Sequence, residues 1–257
     1  MPTTRRAGSN TTTATKTDRA ALALVFLASA ARVVYSSRSM SAGGAAMPGG
    51  WTLSMMWLRM PGQTWPGGAA AFLATWIVMM VAMMVPPLAP MLATFGRRGL
   101  AALAGAGYFS VWALFGGAVY VLGAAVAAAE LRWPAVARQA PLATGIVLVA
   151  AGWLQLTRWK ADRLARCRAC AAPPSPDAAR ALRHGAQFGV LCSACCAGLM
   201  AVLLVAGMMH LAVAAAVAGA IALERLAPRP ERIVRATGVI TIGSGAFAIA
   251  RALVAGL

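Results

Sequence analysis

Acidic side chains are scarce in this sequence, and none of them lies within a long apolar run. The 257 residues contain 6 Asp and Glu against 23 Lys and Arg, and only 2 His. Carboxylates inside spanning segments mark proton relays and cation paths, so their absence argues against a carboxylate-coupled transporter. No P-loop and no Ser/His/Asp arrangement is present, so ATP-driven pumping or hydrolysis is not expected of this chain. We therefore predict that the protein is not an enzyme.

Apolar residues dominate what is present, at 60% hydrophobic and 11% charged, with positive mean hydropathy. The apolar runs are long enough to cross a bilayer, which predicts an all-α fold: a polytopic membrane bundle of about seven transmembrane helices. The predicted spans cover approximately residues 20–35, 68–91, 100–129, 142–157, 185–207, 211–223 and 233–253.

Lys and Arg are distributed unevenly between the segments that join these spans. With a cytoplasmic N-terminus, 17 of the 23 fall on the inner side, and the positive-inside rule selects this orientation. We therefore predict an integral, multi-pass protein of the inner membrane. The basic residues follow membrane topology, and no nucleic-acid motif accompanies them, so no nucleic-acid partner is expected. The six that fall outside are Arg32, Arg38, Arg59, Arg132, Arg138 and Arg251.

The composition divides the chain into a short tail and one membrane domain. Residues 1–19 form a Thr-rich basic segment that we predict to be disordered and cytoplasmic, and residues 20–257 form a single transmembrane domain. This domain includes an outer loop at 36–67, rich in Met, Trp and Gly, and a basic cytoplasmic loop at 158–184. Residues 20–35 also fit a cleaved signal peptide, and the sequence leaves both interpretations open.

Three of the five cysteines cluster in the fifth predicted span. Cys192, Cys195 and Cys196 are spaced i, i+3 and i+4, so on a helix they share one face, which Met200 extends by a turn. Thiolates and thioethers are soft ligands that favour Cu(I), and thiolates also bind zinc. The alternative is that these cysteines are small apolar packing residues.

Cys167 and Cys170 form a C-x-x-C motif in the basic cytoplasmic loop. The surrounding arginines are expected to lower the pKa of both thiols, which would favour metal binding and redox chemistry equally. No cysteine is predicted on the outer, oxidising side of the membrane, which argues against structural disulfides.

Methionine is concentrated elsewhere, with ten of the 14 Met between residues 40 and 91. Thioethers cannot form disulfides, so they can hold Cu(I) on an oxidising face, although Met is also a common packing residue in membrane cores. Five lie in the outer loop: Met40, Met47, Met55, Met56 and Met60. The second span carries Met79, Met80, Met83, Met84 and Met91.

These motifs resemble a family of integral membrane proteins with predicted metal binding, the domain of unknown function DUF2182, some members of which are labelled copper chaperones. The similarity covers most of the chain from about residue 47. It is carried by the second span (Trp76, Met79, Ala82, Met83, Met84, Pro86), by the Gln155, Lys160, Cys167 and Arg168 stretch, by Cys192, Cys195, Cys196, Leu199 and Met200, and by the Glu224–Arg225 pair. The sequence departs from the family pattern at Arg163, Ala197 and His210, where Cys, Trp and Asn are expected.

The resemblance and the sulfur pattern together predict a protein that binds copper as Cu(I), with zinc as a second possibility. The expected partners are the lipid bilayer and a cuproprotein or soluble metal carrier, and the oligomeric state is left open. A metal-free membrane scaffold and a thiol oxidoreductase using the C-x-x-C motif are the alternatives. The predicted ligands are Cys192, Cys195, Cys196, Met79, Met80, Met83, Met84, Met200, Cys167 and Cys170.

Counting residues from the inner surface places the methionines of the second span level with the cysteines of the fifth. Gly185 and Gly189 form a small-x-x-x-small pair, which allows close helix packing in membranes. We therefore expect the second and fifth spans to be direct neighbours, with Cys192 and Cys196 facing Met80 or Met84.

Overall fold

The computed structural model describes residues 8–40, 44–48, 50–58, 62–170, 177–208 and 210–254. Within these ranges the chain is all-α except for one short hairpin, as the composition predicts. The eight helices are α1 (Gly8–Met40), α2 (Trp65–Leu92), α3 (Arg98–Arg132), α4 (Pro134–Gln155), α5 (Arg158–Arg168), α6 (Ala178–Ala206), α7 (Leu211–Leu226) and α8 (Pro230–Val254).

Each of the seven predicted spans corresponds to a helix in the structure. Six of them, α1, α2, α3, α4, α6 and α8, are long and apolar enough to cross a membrane. The remaining one, α7, has 16 residues and is about 24 Å long, which is shorter than a hydrocarbon core of about 30 Å. Whether α7 spans, and the orientation of the bundle, stay predictions.

The first helix starts at Gly8, within the segment 1–19 that the sequence predicts to be disordered. It continues past the predicted end of the first span to Met40 and packs along α2, where Val33 contacts the main hydrophobic core. The predicted tail and span are therefore one helix in the described residues.

Part of the predicted outer loop folds into a hairpin. β1 (Gly44–Met47) and β2 (Trp51–Ser54) pair in antiparallel register, and a 3₁₀ turn (Met55–Trp57) follows them. The Trp51 indole donates a hydrogen bond to the Ala137 carbonyl, 2.9 Å away, which ties the hairpin to the start of α4.

Two helix pairs are packed closely enough that glycine is required at the contact. In the pair α3–α6, a Cβ on Gly185 would lie 1.8 Å from the Ala104 carbonyl oxygen. In the pair α4–α8, a Cβ on Gly145 would lie 3.0 Å from the Gly245 carbonyl oxygen. Helix α6 also packs on α4, so it joins the two pairs and lies at the centre of the bundle.

Candidate metal centre

Helix α6 supplies three thiols from one buried face. Its first turn is capped by Asp177, which accepts a hydrogen bond from the Arg180 amide at 2.7 Å. Cys192, Cys195 and Cys196 are all buried, and the Sγ atoms of Cys192 and Cys196 lie 3.9 Å apart. The i, i+3, i+4 spacing therefore brings the three side chains together as the sequence indicates.

A fourth thiol reaches this cluster from α5, a short helix within the predicted basic cytoplasmic loop at 158–184. Thr157 caps the helix by accepting a hydrogen bond from the Lys160 amide, and arginines occupy its last turn. Lys160, Leu164 and Cys167 form its buried face at i, i+4 and i+7. The Cys167 thiol is a hydrogen-bonding neighbour of Cys192 and Cys195. We call Cys167, Cys192, Cys195 and Cys196 the thiol cluster.

Cys170, the other half of the C-x-x-C motif, lies beside the thiol cluster and is only half-buried. Its Sγ atom lies 3.6 Å from Nε2 of His184 on α6. His184 is not among the ligands predicted from the sequence, because an isolated histidine near a helix end carries no spacing signal.

The methionines of α2 belong to the same hydrophobic core as the thiol cluster. Met80 and Met84 are fully buried, and the other predicted thioether ligands are nearly so: Met79, Met83 and Met200. In the outer loop, Met47 packs in a separate small core under the hairpin, and Met56 contacts the main core. Met60 and the side chains of Met40 and Met55 lie outside the described residues.

Gly185 and Gly189 do not face α2, contrary to the expectation that this pair lets the second and fifth spans pack closely. Gly185 and Gly189 of α6 contact Ala104, Tyr108 and Val111, so the small-residue face packs on α3. The closely packed neighbours of α2 are α1, α3 and α7. The error arises because equal depth in a bilayer restricts which helices can meet but does not decide which ones do.

Two polar side chains from other helices contact Cys192. The Tyr108 hydroxyl of α3 donates to Cys192 Sγ at 3.1 Å, and Arg225 Nη1 of α7 donates to the same atom at 3.4 Å. Arg225 Nη2 also donates to the Cys167 carbonyl at 3.3 Å, and its guanidinium stacks on Phe188, 5.1 Å from the ring centroid. Arg225 therefore links α5, α6 and α7 at the thiol cluster.

A buried ion pair, Lys160 with Glu224, contacts the backbone of the thiol cluster at Cys195. Lys160 Nζ donates to Glu224 Oε2 at 2.6 Å and to the Cys195 carbonyl at 2.8 Å, and the two side chains are 1% and 2% exposed. Gln155 and Thr237 complete the network, each donating to Glu224 Oε1. The sequence places Glu224 at a helix end, as observed, but gives no indication that it is buried.

The thiols in the basic loop are not activated in the predicted way. Burial raises the pKa of the Cys170 thiol, and the Arg225 guanidinium offsets this effect only partly. Hydrogen bonding with Cys192 and Cys195 raises the pKa of the Cys167 thiol. The prediction that local arginines lower both pKa values is wrong, because Cys167 is buried among the other thiols and Cys170 is partly removed from solvent.

The separation of Cys192 and Cys196 is compatible with two thiolate ligands on one soft metal ion. Two thiolates about 2.3 Å from a tetrahedral ion are separated by about 3.8 Å, close to the 3.9 Å between Cys192 and Cys196. Across the described ranges, no group of three or more His, Cys, Asp or Glu side chains is already spaced to hold a metal ion.

A protein-family model described as PpoB2, copper chaperone, matches residues 73–248, more than half of the chain. The chain belongs to the PpoB2 copper chaperone family. No curated protein and no solved structure matches it significantly. The matched segment contains every predicted ligand and also Tyr108, Lys160, Glu224 and Arg225, whereas α1 and the hairpin of this copper chaperone family member lie outside it.

Proposed function

We propose that this protein is a membrane copper chaperone that binds Cu(I) at the thiol cluster and exchanges it with a cuproprotein. The observation that carries the proposal is the convergence of four buried thiols from two separate helices. They lie within the segment that matches the copper chaperone family. The inner membrane is the proposed location, and the proposed role is transfer of the ion without catalysis.

The chemistry of the surroundings supports Cu(I) as the cargo. An ion of charge +1 held by two or three thiolates carries a net negative charge, which is costly in a low-dielectric interior unless cations lie nearby. Arg225 donates to Cys192 directly and can offset this charge. Lys160 is already paired with Glu224, so it contributes less.

The neighbouring thioethers favour copper over zinc. Met80 and Met84 share the buried core with the thiols and can add neutral soft donors, which Cu(I) accepts and zinc uses little. Met79, Met83 and Met200 belong to the same buried core.

The competing function is a metal-free membrane scaffold in which the cysteines only pack. The hydrogen bonds from Tyr108 and Arg225 to Cys192 support it, because they would stabilise the bundle without a metal.

Metal analysis of the detergent-purified protein separates the two functions. After exposure to Cu(I) and removal of the excess, the wild-type chain should retain about one copper per protein. The Cys192→Ser, Cys195→Ser, Cys196→Ser variant should retain far less. Ser193→Ala is the matched control, because Ser193 lies in the same turn but is only half-buried, unlike the three cysteines. Equal copper in wild type and the triple variant would leave only the packing function.

A further inference from the structure

Cys170 and His184 form a second sulfur and nitrogen pair outside the thiol cluster. Cys170 follows the last turn of α5, and His184 lies near the start of α6, so the pair joins two elements at the same end of the bundle. Its atoms Sγ and Nε2 are 3.6 Å apart. Both residues are half-buried, whereas Cys167 and Cys192 are buried.

The separation of this pair suits a shared metal ion. A metal about 2.3 Å from a thiolate and about 2.0–2.1 Å from an imidazole, at a tetrahedral angle, places sulfur and nitrogen about 3.6 Å apart. Only two protein ligands converge here, so positions stay open for a ligand brought by another molecule. Phe95 packs its ring edge-on to His184, with centroids 6.0 Å apart, and restricts the orientation of the imidazole.

The pair is also continuous with the thiol cluster. Cys170 is three residues after Cys167, and the intervening Ala169 keeps right-handed helical angles. Side chains three residues apart lie on the same side of a helix. Arg225 donates to the Cys167 carbonyl and also acts electrostatically on the Cys170 thiol, so one cation influences both residues. Solvent exposure decreases from Cys170 to Cys167 to Cys192.

We propose that Cys170 and His184 are an exchange site through which Cu(I) passes between a soluble thiol carrier and the thiol cluster. In the first step, the bond from Cu(I) to the carrier sulfur breaks as the bond to Cys170 Sγ forms, and the Cys170 proton moves to the carrier thiolate. In the second step, Cys167 Sγ replaces Cys170 Sγ on the ion, and the Cys167 proton moves to Cys170. Copper stays Cu(I) in both steps, so no oxidant or reductant is needed.

This inference rests on the proposed function for the final destination of the ion, and kinetics test it. The full-length protein in nanodiscs receives Cu(I) as its glutathione complex, and uptake is followed by stopped flow together with the copper bound at equilibrium. Cys170→Ser and His184→Gln should slow uptake at least tenfold and leave the equilibrium copper content unchanged. His210→Gln, the other histidine, is the matched control and should behave as wild type. Unchanged rates in both site variants would overturn the exchange site.

A labelling experiment tests the site without relying on the thiol cluster. In the Cys192→Ser, Cys195→Ser, Cys196→Ser background, the Cu(I)–glutathione complex should protect Cys170 from a maleimide. Addition of His184→Gln should remove the protection. Cys170 could be protected in this background even if the wild-type chain retained no copper in the metal analysis. That combination would refute the proposed function but leave the exchange site standing. If Cu(I)–glutathione protects Cys170 neither in this background nor in the wild-type chain, the exchange site is overturned.

Discussion

Arg225 makes the largest set of contacts with the thiol cluster, and in the sequence only the family resemblance singles it out. Its guanidinium donates to the Cys192 thiol and to the Cys167 and Pro87 carbonyls, and it stacks on Phe188. A guanidinium offers five donors in a fixed plane, which suits several acceptors at once in a way that an ammonium does not. The side chain therefore acts both as a brace between helices and as a counter-charge.

We predict that Arg225→Gln weakens Cu(I) binding by about tenfold or more, because a hydrogen bond to a charged group contributes about 1.5–3 kcal/mol. Arg225→Lys keeps the charge but loses the planar donors, so its Cu(I) affinity should lie between those of the wild type and Arg225→Gln. Competition with a chromophoric Cu(I) chelator measures the affinity. Arg229→Gln, an exposed position on the same side of the bundle, is the control. Equal affinity in Arg225→Gln and Arg229→Gln would exclude a role for the buried guanidinium.

Cys167 leads to a prediction about pH. Its raised pKa keeps the thiol protonated at neutral pH, so coordination as a thiolate must release that proton. Affinity for Cu(I) should therefore fall as pH falls, by about tenfold per pH unit for each proton released. Titrations at several pH values should give a slope that is smaller by one proton in Cys167→Ser. A slope unchanged by this substitution would mean that Cys167 does not coordinate as a thiolate.

Among the secondary-structure elements, the pair α3–α6 fixes the depth at which Tyr108 meets Cys192. A Cβ on Gly107 would lie 2.1 Å from the Leu182 carbonyl oxygen, whereas nothing lies within 4 Å of a Cβ on Gly105. We predict that Gly107→Ala destabilises the protein by about 1–3 kcal/mol through overpacking. Gly105→Ala should be neutral or slightly stabilising, because alanine is a better helix former.

Thermal unfolding in detergent tests this matched pair of glycines. The two positions lie on one helix, two residues apart, so they lie at nearly the same distance from the helix end and differ mainly in what their faces contact. Similar unfolding midpoints for both variants would contradict the tight α3–α6 contact.

The attachment of α5 depends on its buried ion pair. Removal of one partner leaves the other charged and buried, so Lys160→Met should cost about 3–5 kcal/mol of stability. The double variant Lys160→Met, Glu224→Leu should recover a substantial part of that loss, because no unpaired charge remains. Thermal unfolding of the single and double variants measures the difference. A double variant no more stable than the single one would contradict this account.

For the whole molecule, the charge distribution predicts the orientation of every helix. Reporter fusions after residues 45, 135 and 210 should report the outer side, and those after 97, 175 and 230 the cytoplasm. The fusions at 210 and 230 flank α7 and so test whether its 16 residues cross the membrane. The same compartment at both positions would show that α7 does not span, and a cytoplasmic signal at 45 would reverse the orientation of α1.

Hydropathy and spacing were sufficient to predict several features from the sequence alone. The seven apolar helices and the shared face of Cys192, Cys195 and Cys196 follow from local order along the chain. The relation to a copper chaperone family came from the resemblance of the motifs to that family, and the family match confirms it. These features depend on residues close together in sequence, where the 3.6-residue period of a helix and the length of an apolar run fix the outcome.

Only the tertiary structure decided which helices meet. The glycine face of α6 packs on α3 and not on α2, and part of the basic loop is the helix α5. Cys167, Arg225 and Tyr108, from three other helices, contact Cys192. The tertiary structure also buried Lys160 against Glu224, 64 positions away in the chain. The physical reason is that apolar faces are interchangeable in hydropathy, so partners are chosen by close shape fit and by the pairing of buried charges, which a one-dimensional pattern does not contain.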